Sequence, residues 1–144
     1  MKKRYVIILI PLVIITILWS VTLYHSYNSF GNLVMDKIDA TEITSIEILK
    51  SSNDEQIKVD DPKVIEKIIH EFSDVKLRRS NASEKPTETY WISLFVNKGL
   101  RFGLNLTDTN FLYITDLASK NKYHSGNFKI TSKFDGESIT SLFK

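Results

Sequence analysis

Tyr90, Ile92, Leu94 and Val96 alternate with Trp91, Ser93 and Phe95. After Asn97-Lys98-Gly99, Leu100, Phe102, Leu104 and Leu106 alternate with Arg101, Gly103 and Asn105. A period of two puts successive side chains on opposite faces of a strand, and Asn-Lys-Gly is turn chemistry, so the stretch reads as a hairpin. The first strand is apolar on both faces, with Trp91 and Phe95 opposite the row led by Tyr90. That predicts a central strand, covered by a helix on one side and partly covered on the other. The second strand is apolar on one face only.

The remaining segments fit around this hairpin. Ile43–Lys50 carries Ile46 and Ile48 on one face, Ser51-Ser52-Asn53-Asp54 is a turn cluster, and Gln56–Val59 resumes with Ile57 and Val59 on one face. This is a second hairpin. Asp61 before Pro62 is a helix N-cap with proline at the first helical position. Val64, Ile65, Ile68, Ile69 and Phe72 follow at helical spacing, which predicts a helix from Pro62 to about Phe72. Val75 and Leu77 alternate with Lys76 and Arg78 into a short strand. Residues 79–88 have only Ala82 and Pro86 as apolar members and are expected to form a mobile loop. Further strands are expected at Phe111–Thr115, Lys122–Ser125 and Phe128–Ile130, and Phe134, Ile139, Leu142 and Phe143 are placed for a closing helix. The expected class is α+β with an antiparallel sheet.

At the N-terminus, Lys2, Lys3 and Arg4 precede an uncharged run from Tyr5 to Tyr24. About 20 residues of helix span ~30 Å, the thickness of a bilayer's hydrocarbon core. Thr16, Ser20 and Thr22 can bond back to their own helix, and Pro11 is tolerated in such a setting. Tyr5 marks one end of the run, while Trp19, Tyr24 and Tyr27 cluster at the other. The expectation is an uncleaved signal anchor in residues 1–24: a single-pass transmembrane helix with a cytoplasmic N-terminus and its span at 5–24. Residues 25–41 would be a stalk and residues 42–144 an extracytoplasmic domain at the cell membrane. A cleaved signal peptide competes, but Leu23-Tyr24-His25-Ser26-Tyr27 is bulky where small residues are wanted.

Removing the first three basic residues leaves sixteen basic against seventeen acidic side chains. No basic face is implied, so no nucleic-acid partner is expected. With no cysteine in the chain, neither a disulfide nor a lipid-modified cysteine is available. Asn81-Ala82-Ser83 and Asn105-Leu106-Thr107 match the glycosylation sequon, a motif short enough to arise by chance.

No catalytic set emerges. His25, His70 and His124 lack metal-ligand spacing. Gly136-Glu137-Ser138-Ile139-Thr140 lacks the last glycine of a nucleophile elbow, and Ser141 with Lys144 has Ser-x-x-Lys spacing at the end of the chain. Asp61 is explained by the helix start, with Asp60 facing water, and Asp108-Thr109-Asn110 does not continue as a calcium loop. Lys76, Arg78 and Arg79 are the densest basic cluster beyond residue 25. They could meet an anionic surface, though charges on a strand edge more often block edge pairing. Tyr90 and Trp91 would add a binding patch if one sheet face is open, against the alternative of core packing.

Ile43-Thr-Ser-Ile-Glu-Ile48, Asp61-Pro-Lys-Val-Ile-Glu-Lys-Ile-Ile69, Phe72-Ser-Asp-Val-Lys-Leu-Arg-Arg79 and Tyr90-Trp-Ile92 together resemble an uncharacterised domain. It occurs in small secreted, lipid-anchored or membrane-anchored proteins of Gram-positive, Bacillus-like bacteria, and the likeness covers most of residues 42–143. The resemblance implies location and fold, and transfers no functional residue. The functional expectation is a non-enzymatic, membrane-anchored interaction module without a cofactor or metal, binding a membrane-protein or envelope partner. Its candidate surface is Lys76, Arg78, Arg79, Tyr90 and Trp91. The alternative is an immunity or inhibitor protein that intercepts a toxin, peptide or protease at the membrane surface.

Overall fold

A computed structural model of the chain describes residues 2–82, 84–120 and 124–144, with the side chains of 2–9 and 25 outside the description. Ser83 of the first sequon and Lys122 and Tyr123 of one expected strand lie outside the described residues, as do the side chains of Lys2, Lys3, Arg4, Tyr5 and His25.

The elements run α1 (Lys2–Ser26), β1 (Tyr27–Ser29), α2 (Phe30–Leu33), β2 (Ile43–Lys50), β3 (Glu55–Val59), α3 (Pro62–Ser73), β4 (Lys76–Arg79), β5 (Thr89–Val96), β6 (Gly99–Thr107), β7 (Phe111–Asp116), β8 (Gly126–Ile130) and α4 (Glu137–Thr140), with a closing 3-10 turn at Ser141–Phe143. The strands form one antiparallel sheet in the order β1-β4-β8-β7-β6-β5-β2-β3, an α+β fold.

Both expected hairpins are present. Ile48 opposes Ile57 in one, and Ile92 opposes Leu104 in the other. The second turns through Asn97 and Lys98, both at positive φ (50° and 67°), the left-handed conformation that a tight hairpin requires. Helix α3 begins as its sequence predicts: the Asp61 carboxylate accepts from the Lys63 amide at 2.8 Å, and Pro62 stands in the first turn. It carries the chain from the β3 edge to β4, near the opposite edge, and so lies across one sheet face. Its stripe of Ile65, Ile68, Ile69 and Phe72 packs there on Ile46, Ile48, Ile92, Leu94, Leu104, Leu112, Ile114 and Phe128. Phe72 stands between Phe30 and Phe134, with ring centroids 5.1 and 4.9 Å away.

The segment expected as a stalk contributes to this core. Phe30, Leu33 and Val34 are buried, the Phe30 amide donates to the Val75 carbonyl at 2.9 Å, and Tyr27–Ser29 pairs with β4. The closing helix is only one turn, but Ile139 is buried, and the Ser138 amide donates to Glu71 Oε2 at 2.8 Å to hold that turn against α3.

The N-terminal expectation is corrected. Among the described residues no helix is long and apolar enough to cross a membrane. The single-pass span at residues 5–24, the signal anchor and the localisation built on them are therefore not supported. Within α1, Thr16, Ser20 and Thr22 bond back to Leu12, Thr16 and Leu18 carbonyls at 2.8, 2.8 and 2.9 Å, as their positions predict.

Candidate functional site

Alternation places Leu49, Trp91, Gly103, Asn105, Tyr113, Thr115, Asn127 and Lys129 on the face away from α3. No helix covers this face among the described residues. One cross-strand row reads Gln56, Leu49, Trp91, Asn105, Tyr113, Asn127, and the next reads Lys58, Glu47, Ser93, Gly103, Thr115. Trp91 and Tyr113 are 54% and 48% exposed, large for aromatic side chains on a packed domain. They flank a depression of about 340 Å³ whose lining includes Ser93, Gly103, Asn105 and Thr115. A Cβ on Gly103 would come no closer than 3.8 Å to Thr115, so the glycine leaves the floor open without backbone strain. Asn105 Oδ1 is buried on that floor without a hydrogen-bond partner. An amide oxygen in that position lacks compensation for its lost water and is one donor short.

The rest of the open face is occupied. Asn127 Nδ2 donates to the Ala82 carbonyl at 3.2 Å, Lys129 and Glu84 pair at 3.8 Å, and the Thr87 amide donates to Asp108. The 79–88 loop, expected to be mobile, is thus tied across the sheet at three described points. Phe111, on this face by register, is only 4% exposed and lines a depression together with Glu84. The open part of the face narrows to the strip around Trp91 and Tyr113.

The expected site residues divide. Tyr90 and Trp91, adjacent in sequence, point to opposite faces: Tyr90 is 9% exposed and stacks with Phe143 at 5.7 Å. Burial raises its pKa, and the charges of Glu88 and Asp108 raise it further. Lys76 and Arg78 are exposed on β4. Arg79 turns to the core side, where its guanidinium lies 4.9 Å from the Phe128 ring centroid and donates to the Ser125 carbonyl at 3.0 Å. β4 and β5 are four strand steps apart, ~19 Å, so the basic cluster and Trp91 form no common site. The sequence reading missed Gly103, Asn105 and Tyr113 as members. The alternation of β6 and β7 carried the signal, since Gly103 and Asn105 alternate with core leucines and Tyr113 stands between Leu112 and Ile114.

At the residues screened for catalysis, Ser138 is buried, with its Oγ unpartnered and its amide on Glu71, while His124 Nδ1 meets Ser119 Oγ at 3.0 Å. Among the described residues no group of three His, Asp or Glu could hold a metal. A separate cleft of about 230 Å³, lined by Glu88, Tyr90, Asp108 and Asp135 among others, lies at one end of the sheet. Asp108 and Glu88 are there held below the usual carboxylate range, mainly by hydrogen bonds from Thr87 and from Ser52 respectively.

At the opposite end Asp116 is a buried carboxylate paired with Arg101 and, at 3.1 Å, with Lys37. Burial pushes its pKa up. The Arg101 and Lys37 hydrogen bonds and the Ala118 amide outweigh that and hold it below its ordinary value of 3.8.

One family profile, DUF5301, described as a domain of unknown function, matches residues 35–125. The matched stretch runs from the turn before β2 through β7 and includes Trp91, Gly103, Asn105 and Tyr113. No curated protein and no solved structure gives a significant match.

Proposed function

The chain belongs to the DUF5301 family, and we propose that it is a non-catalytic binding module whose ligand docks on the open sheet face between Trp91 and Tyr113. One observation carries this reading: two large aromatic side chains, about half exposed, flank a glycine-floored depression with an unpartnered buried acceptor, Asn105 Oδ1. Exposed aromatic area costs free energy unless a partner covers it, and an orphaned buried acceptor costs about 1–3 kcal/mol. The other face carries the core, so this strip can change without dismantling the fold. The reading leaves out the basic cluster, because Arg79 is engaged in packing and Arg78 stands four strands from Trp91.

The test is photo-crosslinking in cells, with benzoylphenylalanine at position 91 or 113 and at Glu66 on the exposed side of α3 as the control. Adducts at 91 and 113 but not at 66 are expected. Equal yields at all three positions would overturn the proposal, as would a hydrolase or transferase activity abolished by Ser138→Ala or Asp60→Ala.

A further inference from the structure

Resting on that reading, we infer that the slot between Trp91 and Tyr113 is a subsite for a neutral sugar ring. The two residues lie on strands β5 and β7, with β6 between them, so their backbones are ~9.5 Å apart. Carbon atoms pack at ~4 Å, so the depression shared by two aromatic side chains at this spacing has room for one flat ring above Asn105, which lies between them in the same row. A pyranose has the matching surfaces. Its two flat faces present C–H bonds, which carry partial positive charge and favour the electron-rich faces of Trp and Tyr. Its rim presents hydroxyls, each both donor and acceptor.

The floor and walls suit that rim. Ser93, Asn105 and Thr115 offer hydroxyl and amide groups that both donate and accept. Asn105 Oδ1 is closed to solvent and lacks a donor, so a sugar hydroxyl supplies one when the Asn105 amide turns toward the slot. Gly103 leaves the space a side chain would fill. None of the lining residues is charged, so neither an acidic polymer nor a cationic side chain finds a counter-ion in the slot. Charged groups elsewhere on this face, Glu47 with Lys58 and Glu84 with Lys129, are already paired at 3.8 Å, and Arg101 is paired with Asp116. A peptide would also meet aromatic walls, but the uncharged, hydroxyl-rich lining favours a ligand with no charge of its own.

The experiment uses the full chain carrying Trp19→Phe, which leaves Trp91 as the single tryptophan, titrated with maltohexaose, cellohexaose and chitohexaose while its emission is followed. At least one hexasaccharide is expected to shift Trp91 emission to shorter wavelength. Asn105→Ala is expected to weaken that binding by about tenfold or more, the scale of one lost hydrogen bond to a buried acceptor. Gly103→Val, which fills the floor, is expected to abolish it. Thermal unfolding of both variants shows whether the fold is intact, and Asn105→Ala alone suffices if Gly103→Val does not fold. A shift that survives both substitutions overturns the subsite. If no sugar shifts the emission but crosslinkers at 91 and 113 capture a polypeptide, the sugar proposal falls and the binding face stands. If neither occurs, both fall.

Discussion

Lys37 Nζ donates to Asp116 Oδ2 at 3.1 Å across 79 residues of sequence, joining the segment before β2 to the end of β7. Arg101 takes the other carboxylate oxygen, and the Ala118 and Ser119 amides donate to it at 3.1 Å each. Both cations also lie over the Phe102 ring, with Arg101 4.4 Å from its centroid.

Replacing Asp116 with Asn would leave two cations facing each other at a partly covered site. Removing one partner of a buried pair costs roughly 3–5 kcal/mol, and the partial exposure of Lys37 and Arg101 lowers this to about 2–4. Because the folded pKa of Asp116 is depressed, its contribution is present above its ordinary value of 3.8 and is lost as pH falls through the folded value. Urea unfolding across a pH series should show wild-type stability falling at acid pH, with a shallower fall in Asp116→Asn.

Phe72 is fully enclosed between Phe30 and Phe134. Phe72→Ala should cost about 3–5 kcal/mol, from lost burial and the cavity left behind. A loss under 1 kcal/mol in denaturant unfolding would mean that α3 does not pack as described.

Gly126 has φ +144°, and a Cβ there would lie 2.6 Å from Arg79 Nη1. Gly126→Ala should destabilise by about 1–3 kcal/mol, through backbone strain and displacement of the guanidinium from Phe128. Combining it with Arg79→Ala should relieve part of that cost, a coupling that a double-mutant cycle reads directly.

Trp91→Ala should separate stability from binding. The side chain is half exposed and outside the core, so thermal unfolding should move by no more than about 1 kcal/mol. Crosslinking through position 113 should fall in the same variant. A large loss of stability would instead give Trp91 a packing role.

Local chemistry made much of this fold legible. The period of two in Ile43–Lys50, Tyr90–Val96 and Leu100–Leu106, the Asn97-Lys98-Gly99 turn and the Asp61-Pro62 helix start are each decided within a few residues, by side-chain alternation, positive φ and capping. The core face of Ile43–Lys50 and of Leu100–Leu106 could therefore be read directly, whereas Tyr90–Val96 is apolar on both faces. Pattern failed where the answer depended on what lies opposite. Core packing is the favoured sequence reading for both Tyr90 and Trp91; it holds for Tyr90, under the face that α3 covers, and not for Trp91, on the face that nothing described covers. Arg79 read as part of a basic patch, but Gly126 and Phe128, brought beside it by the β4–β8 pairing, turn it inward. The apolar N-terminal run reads as a membrane span, whereas among the described residues no helix is long and apolar enough to cross a membrane.

The sequence by itself determined the β2–β3 and β5–β6 hairpins and α3, because those choices rest on backbone geometry and hydrophobic period over short distances. It did not show β1, which reads as stalk, and it predicts a strand at Lys122–Ser125 whose described residues, His124 and Ser125, form a bend. Only the tertiary structure decided the strand order, the inclusion of Phe30 and Val34 in the core, the buried Lys37–Asp116–Arg101 cluster and the slot at Trp91, Asn105 and Tyr113. Each of these joins segments distant in the chain, and such contacts are set by how the whole sheet buries one face, which no single stretch of sequence encodes.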